Sequence, residues 1–270
     1  MGGNSSSKVL SYHEKLGEGA FSEVWRVTWR STEGGPGVNA AAKKIRFDTV
    51  QEKSDFWDDL KREIDALKRL EHENIVRYYD TLLVEPHVII ITEFVAQGSL
   101  FNYLKKRESI PQELVKKWAL HLSRGIQFIQ QSNIVHRDIK SSNCVISAND
   151  VLKICDFGLA KDLTKTKSTD SEKGTVKWLA PEVFTEGKLS PKADIYAFGI
   201  VLWELNSCEE PYRGMRPETV MFQVGEHGIR PEIPESCIGD MRDLIVKCWD
   251  VDRDSRPDID SVIAQLEELP

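Results

Sequence analysis

The pattern of apolar and polar positions divides the chain into a strand-rich part and a helix-rich part. Residues 11–30 alternate around Gly17 and Gly19, which predicts a hairpin with a glycine-rich turn. Further strands are predicted at 38–47, 76–83 and 87–94. The first third of the chain is therefore expected to form mostly sheet.

Helical spacing appears first at 53–70, where apolar residues recur every third or fourth position between charged ones. After Gly98 this spacing dominates, and helices are predicted at 99–106, 112–132, 191–207, 217–225, 237–249 and 258–268. A polar segment rich in Lys, Thr and Ser lies between them at 159–179. The pattern predicts an α+β fold, with a flexible leader at 1–10, a small β-rich lobe with one main helix at 11–95, and a larger, mostly helical lobe at 96–270.

Composition narrows the classes of protein that fit this pattern. The chain has 270 residues, of which 40% are hydrophobic and 29% charged, as in soluble globular proteins. Its net charge of −7 argues against a nucleic acid partner, because that binding depends on neutralising phosphates. The five cysteines are odd in number and lack CxxC spacing, which indicates a reducing, cytoplasmic environment rather than disulfides or zinc.

The first residues carry a separate signal. Met1-Gly2-Gly3-Asn4-Ser5-Ser6 fits the pattern for myristoylation of Gly2 after removal of Met1. A single acyl chain would attach the protein to membranes only reversibly. The alternative interpretation is a flexible leader of Gly and Ser.

The glycine-rich turn resembles a phosphate-binding loop. The run from Leu16 to Val24 follows G-x-G-x-x-G-x-V, except that Ser22 replaces the third glycine. Glycines there let backbone N–H groups approach phosphates without obstruction by a Cβ atom. The pattern alone is weak, since a bare Gly-x-Gly is usually just a turn. The predicted nucleotide contacts in this run are Leu16, Gly17, Glu18, Gly19, Ala20, Phe21, Ser22, Glu23 and Val24.

A lysine and a glutamate further along strengthen this interpretation. Lys43 follows Ala41 on the next predicted strand, and Glu63 lies on the predicted helix 53–70. A cation on the α- and β-phosphates, held by a carboxylate, is what phosphoryl transfer requires. Strand alternation places Lys43 and Lys44 on opposite faces, with Ala41 on the face of Lys43. A surface lysine and a solvated glutamate are the alternative interpretations.

The strongest motifs lie in the helix-rich part. Residues 136–143 read His-Arg-Asp-Ile-Lys-Ser-Ser-Asn and match the H-R-D-x-x-x-x-N catalytic loop, and Asp156-Phe157-Gly158 matches D-F-G. In this set Asp138 would orient the substrate hydroxyl and accept its proton, and Lys140 would neutralise the transferred phosphoryl group. Asn143 and Asp156 would hold Mg²⁺ across the phosphates of ATP.

Several further runs resemble protein kinases over most of the chain, from about Leu16 to Leu266. They are Ala180-Pro181-Glu182, Asp194-Ile195-Tyr196-Ala197-Phe198-Gly199 and Arg256-Pro257. The resemblance implies the bilobal protein kinase fold, ATP and Mg²⁺ as cofactors, and a pairing of Arg256 with Glu182. It also implies that Leu16, Val24, Ala41 and Val145 enclose the adenine, with Thr92 as gatekeeper and Glu93 and Val95 offering backbone groups.

Within the protein kinases, the sequence is most similar to the tyrosine-kinase-like group and to its mixed-lineage kinases. The similarity lies at 152–158, 178–183, 202–205, 211–214 and 248–249. Lys140 and Gly174-Thr175 resemble serine/threonine kinases, in which that threonine contacts the catalytic aspartate and lysine, whereas Val176-Lys177-Trp178 resembles tyrosine kinases. Serine/threonine specificity is therefore expected, with tyrosine or dual specificity as the alternative.

Partners and regulation follow from the same resemblance. Mixed-lineage kinases feed MAP kinase cascades, so the expected partners are protein substrates such as MAP kinase kinases. Hydroxyl groups of the segment 159–179 are candidates for a regulatory phosphate that would meet Arg137. A pseudokinase scaffold is the competing hypothesis, and the presence of Lys43, Glu63 and Asp138 argues against it. The oligomeric state does not follow from these motifs.

Overall fold

A computed structural model describes residues 9–19, 22–46, 64, 67–156, 175–185, 187, 190–237 and 239–269. Most of the predicted helix 53–70 and most of the polar segment 159–179 lie outside these residues. The same holds for Gly2 and the rest of the leader up to Lys8.

The strand-rich part forms one antiparallel sheet of five strands in the order β1-β2-β3-β5-β4. The strands are β1 Val9–Glu18, β2 Ser22–Arg30, β3 Val38–Arg46, β4 Tyr78–Val84 and β5 His87–Glu93. Alternation along them places small and β-branched side chains on one face, where they form a buried core. This core contains Val27, Ala40, Ala42, Ile89 and Ile91.

The helix-rich part contains seven described α-helices and a two-stranded ribbon. The helices are α1 Leu100–Leu104, α2 Gln112–Gln131, α3 Pro181–Thr185, α4 Pro191–Ser207, α5 Pro217–His227, α6 Gly239–Cys248 and α7 Ile259–Glu268. The ribbon consists of β6 Cys144–Ile146 and β7 Leu152–Ile154. All six helices predicted here are confirmed to within two residues of their bounds. Helix α1 begins one residue later than predicted, because Ser99 is its N-cap, and ends two residues earlier.

Helix α4 lies at the centre of this part. It is buried on all sides from Ala193 to Leu205, as expected of a helix that is apolar around its whole circumference. Gly199 lets another segment come close, because a Cβ atom there would lie 2.8 Å from the Cβ atom of Cys248. The side chains of α4 from Ala193 to Leu205 are thus held in place by close packing.

The chain divides into two compact units. Of the described residues, the first unit holds those up to Glu71 and Val76–Val95, and the second holds His72–Ile75 and those from Ala96 onward. The predicted α+β class, β-rich first and mainly helical afterwards, is confirmed. Among the described helices, none is both long and apolar enough to span a membrane.

Candidate active site

The backbone of the catalytic loop is anchored to helix α4. The N–H groups of His136 and Arg137 donate to the two carboxylate oxygens of Asp194, at 2.8 and 3.0 Å. Asp194 is 2% exposed, and burial raises its pKa to about 6 although both hydrogen bonds act to lower it. Arg137 has a φ angle of 68°, a strained value for a side-chain-bearing residue that the two bonds help to hold.

His136 is a buried, neutral imidazole within this loop. Its Nδ1 accepts the N–H of Asp138 at 3.3 Å, and its Nε2 lies 3.3 Å from the carbonyl of Cys155. Since a carbonyl can only accept, the ring hydrogen is on Nε2. Burial lowers the pKa of His136 to about 4, which agrees with this neutral tautomer. The neutral His136 ring therefore connects the backbone of Asp138 to that of Cys155.

The Asp138 carboxylate lies at the centre of a small polar cluster. Its Oδ2 atom is 3.0 Å from the ammonium of Lys140 and accepts the Asn143 amide at 2.9 Å. The Lys140 ammonium also donates to the hydroxyl of Thr175 at 2.9 Å. Of the two contacts predicted for Thr175, with Asp138 and with Lys140, the contact with Lys140 is confirmed.

The two predicted metal ligands lie at the same end of the ribbon, because Cys144 pairs with Ile154, Asn143 precedes β6 and Asp156 follows β7. The Asn143 side-chain N–H₂ donates to the carbonyl and the carboxylate of Asp138. The amide oxygen of Asn143 is therefore the atom that could coordinate a cation. The N–H of Cys155 donates to the carbonyl of Asn143 at 2.9 Å and so brings the residue before Asp156 alongside Asn143. Asp156 has a φ angle of 64°. An all-oxygen pair of one amide and one carboxylate fits Mg²⁺.

The glycine-rich turn closes the hairpin of β1 and β2 in the first unit. Gly17 pairs with Val24 and Glu18 with Glu23, and the N–H of Gly19 donates to the carbonyl of Ser22 at 2.8 Å. The ammonium of Lys15 lies within 2.9 Å of Glu18 and 3.1 Å of Glu23, so it balances both carboxylates. Ala20 and Phe21 are outside the described residues.

The other predicted nucleotide contacts lie on the sheet or on the ribbon. Ala41 pairs with Thr92 across strands β3 and β5, Lys43 pairs with Ile90, and Leu16 precedes the glycine turn. The N–H of Glu93 donates to the carbonyl of Arg77 at 2.8 Å, so a ligand would have to use other backbone groups at this end. Val95 follows β5, and Val145 lies on β6 in the second unit. Glu63 is outside the described residues.

The predicted pairing of Arg256 with Glu182 is confirmed. Two guanidinium nitrogens of Arg256 donate to the two carboxylate oxygens of Glu182, at 2.7 and 2.8 Å. Both side chains are buried, and the guanidinium also lies 5.1 Å from the centre of the Tyr196 ring. This bidentate ion pair joins α3 to the segment that precedes α7.

Two buried carboxyl groups of α4 were not assigned from the sequence. Asp194 was recognised only as part of a motif, and its hydrogen bonds to the catalytic loop depend on tertiary packing. Glu204 accepts hydrogen bonds from Ser141 and Trp178. The sequence does carry one signal for Glu204, since it is a charged residue within the apolar run from Ile200 to Leu205.

This arrangement is that of a protein kinase catalytic domain, and comparison with known proteins agrees. Residues 10–266 match the family described as protein tyrosine and serine/threonine kinase, so the chain belongs to that family. It is 32% identical over 263 residues to serine/threonine-protein kinase STY46 of Arabidopsis thaliana, covering 97% of this chain and 44% of the relative. It is 35% identical over 258 residues to serine/threonine/tyrosine-protein kinase HT1 of the same plant, covering 94% and 65%.

A third relative comes from an animal. Mitogen-activated protein kinase kinase kinase 12 of Rattus norvegicus is 32% identical over 263 residues, covering 97% of this chain and 29% of the relative. These relatives support the resemblance to the tyrosine-kinase-like group and its MAP kinase kinase kinases. The chain spans less than two thirds of the length of each of the three.

Proposed function

We propose that this chain is an ATP-dependent protein kinase that phosphorylates serine and threonine. The observation that carries the proposal is the contact of one ammonium, that of Lys140, with both Asp138 and Thr175. In this proposal Asp138 is the general base and Lys140 the cation, and their contact with the segment that begins at Thr175 supports transfer to a protein hydroxyl. The relatives named serine/threonine-protein kinases support the same activity.

In this mechanism the residues of the loop orient and neutralise. Asp138 holds the acceptor hydroxyl and takes its proton as the hydroxyl oxygen forms a bond to the γ-phosphorus, while the bond from that phosphorus to the bridging oxygen of ATP breaks and ADP leaves. Lys140 balances the charge that builds on the transferred group. A magnesium ion bound by Asn143 and Asp156 would screen the phosphate charges.

The choice of acceptor follows from the same cluster. Lys140 donates a hydrogen bond to Thr175, so the end of the polar segment 159–179 is bonded directly to the catalytic loop. We infer serine and threonine as the acceptors. Dual specificity stays the alternative, because HT1 is named a serine/threonine/tyrosine kinase and Val176-Lys177-Trp178 resembles tyrosine kinases.

The test is phosphate transfer from radiolabelled ATP to peptide libraries with Ser, Thr or Tyr as acceptor. Wild-type protein should label Ser and Thr peptides, and Asp138→Asn should reduce the rate by about a thousandfold because it loses the base. Equal labelling by both proteins would refute the catalytic assignment. Labelling of Tyr at a comparable rate would favour dual specificity, and no labelling by the wild type would favour the pseudokinase.

We also propose MAP kinase kinases as the substrates, supported by the similarity to mitogen-activated protein kinase kinase kinase 12. Incubating the chain with purified MAP kinase kinases and mapping the phosphorylated residues tests this. Labelling of general Ser/Thr peptides without labelling of any of these proteins would contradict the cascade assignment and leave the kinase activity intact.

Acylation of Gly2 and a cytoplasmic location with reversible membrane attachment stay proposals. They are supported by the Met1-Gly2 pattern and by the odd number and spacing of the cysteines in the sequence. The intact mass of the protein from a eukaryotic cell tests acylation, with Gly2→Ala as the control. A wild-type mass without the acyl group would contradict it.

A further inference from the structure

Glu204 is a buried carboxyl group that the proposed mechanism does not use. It lies on α4 between Trp203 and Leu205 and is 1% exposed. Burying a carboxyl group in an apolar environment costs several kcal/mol, on the order of 2 to 7, unless hydrogen bonds offset it. The hydrogen-bond partners of Glu204 therefore indicate which segments this carboxyl group connects.

Glu204 accepts side-chain hydrogen bonds from two segments next to the active site, and the backbone N–H of Ser141 adds a third hydrogen bond. The Ser141 hydroxyl donates to Oε1 at 2.6 Å, and the Trp178 indole donates to Oε2 at 2.8 Å. Ser141 follows Lys140 directly, in the 3₁₀ helix Ser141–Asn143 of the catalytic loop. Trp178 lies in the 3₁₀ helix Val176–Trp178, three residues after Thr175. One carboxyl group thus joins Ser141 and Trp178, which are 37 residues apart in sequence.

Those two segments also form the walls of one cavity. It is lined by Asp138 from the catalytic loop and by Thr175, Trp178 and Leu179 from the later segment. A shift of Trp178 would therefore move the wall that faces the catalytic carboxylate. The hydrogen bond between Lys140 and Thr175 joins the same two segments. With that bond alone, one segment could rotate about it relative to the other. The second connection, through Glu204, prevents this rotation.

We propose that Glu204 is a positioning residue for phosphoryl transfer, which fixes the segment Thr175–Ala180 against the catalytic loop so that the protein substrate meets Asp138 in register. The inference rests on the proposed kinase activity. Fixing reacting groups in position is a large part of catalysis in phosphoryl transfer, where the protein does little covalent chemistry. The effect should therefore appear with the protein substrate and spare the nucleotide.

A double-mutant cycle tests the link. Ser141→Ala and Trp178→Phe each remove one of the two side-chain hydrogen bonds to Glu204, and the backbone bond from residue 141 stays. Each should lower kcat/KM for a Ser peptide about fivefold, the loss expected from one hydrogen bond to a carboxyl group, and leave KM for ATP unchanged. The double variant should lose about as much as Trp178→Phe alone, because that change already breaks the link between the two segments.

Matched controls separate positioning from loss of stability. Ser123→Ala removes a buried hydroxyl that donates to the Leu120 carbonyl within α2. Trp203→Phe removes an indole hydrogen bond, to the Glu232 carbonyl at 2.7 Å, from the residue next to Glu204. Both controls should leave kcat/KM unchanged, and the Tm of every variant is measured alongside.

A second set of variants changes Glu204 itself. In Glu204→Gln the amide oxygen can accept from Trp178 and the amide N–H₂ can donate to the Ser141 hydroxyl oxygen, so activity should stay within about twofold of wild type. Glu204→Leu removes both links and should lose as much as the double variant.

The outcomes are distinct. Single losses that multiply in the double variant, an equal loss in Trp203→Phe, or full activity of Glu204→Leu would each overturn the inference while the kinase activity stands. A wild-type protein that labels no peptide would overturn the proposed function, and this inference with it.

Discussion

The Lys140 ammonium is the residue-scale feature that relates the site to its function. It bonds to Asp138 and to Thr175, at 3.0 and 2.9 Å, and its side chain is largely buried. In the proposed mechanism this cation stabilises the carboxylate of the base, Asp138, and lies where the acceptor hydroxyl approaches. The Thr175 hydroxyl is the part of this contact that can be removed without changing side-chain shape.

Thr175→Val should lower kcat for a Ser peptide about tenfold, because it removes a hydroxyl that accepts from an ammonium group. Steady-state kinetics measures the change. The control is Thr185→Val, whose hydroxyl donates to the Pro181 carbonyl at 3.3 Å within α3, and which should keep the wild-type rate. Equal rates for both variants would show that the bond to Lys140 has no part in transfer.

The Glu204 carboxyl group gives the folded protein a characteristic dependence on pH. Burial raises its pKa from 4.5 to about 8, against the hydrogen bonds from Ser141 and Trp178 and with a small contribution from Glu210. Between these values the group is protonated when folded and ionised when unfolded. Its contribution to stability is thus fully present below about pH 4.5 and is lost as the pH rises to about 8.

The matching measurement compares the Tm of wild type and Glu204→Gln across that range. The Gln side chain does not titrate, and His136 and Asp194 titrate in both proteins, so their effects cancel in the difference. Wild-type Tm should fall relative to the variant by roughly 5 °C between pH 5 and pH 8. A constant difference would contradict the raised pKa of Glu204.

At the scale of elements, helix α4 and two buried carboxylates hold the second unit together. Asp194 at its start anchors the catalytic loop, and Glu182 on α3 is held by Arg256 from the segment before α7. Arg256 also donates to the carbonyls of Asp250 and Lys192, so it satisfies several groups at once. Removing one partner of such a pair leaves a buried charge without its counter-ion.

Arg256→Leu should therefore lower the free energy of unfolding by about 3 to 5 kcal/mol. The double variant Arg256→Leu/Glu182→Leu should recover part of that loss, because no charge then stays buried alone. Urea unfolding gives both values. An exposed pair is the control: Arg124→Leu, which removes the contact with Glu267 at 3.0 Å, should cost less than about 1 kcal/mol. A similar cost for both single variants would contradict the importance of burial.

At the scale of the whole molecule, the property to be tested is nucleotide binding, which is proposed for residues of both units. Lys43 lies in the first unit and Asn143 in the second. A ligand that binds only the folded chain raises its Tm with the logarithm of ligand concentration.

Magnesium and ATP at about a hundred times the dissociation constant should raise the wild-type Tm by roughly 5 °C. Lys43→Met and Asn143→Ala should both reduce the rise, the second only when magnesium is present. Differential scanning fluorimetry measures the shifts, and Lys44→Met serves as the control on the opposite face of β3. A rise that neither variant reduces would contradict the assigned contacts.

The order of the helices and strands, and most of the candidate site residues, could be predicted from the sequence alone. Among the described residues, the long helices and the alternating strands were predicted closely, because period and length are local properties of a chain. The ribbon β6 and β7 and the helix α3 were missed, since elements of three to five residues span too few periods to be recognised. Motif spacing identified Asp138, Lys140 and Asn143 as one group.

Only the tertiary structure decided how these groups are held. The neutral state of His136 comes from its burial, the anchoring of the loop by Asp194 comes from the position of α4, and the link through Glu204 joins residues distant in sequence. Each depends on which atoms meet across the core, a property that residue type and spacing do not specify. Local pattern determined what each segment could become, and packing determined which buried polar groups found one another.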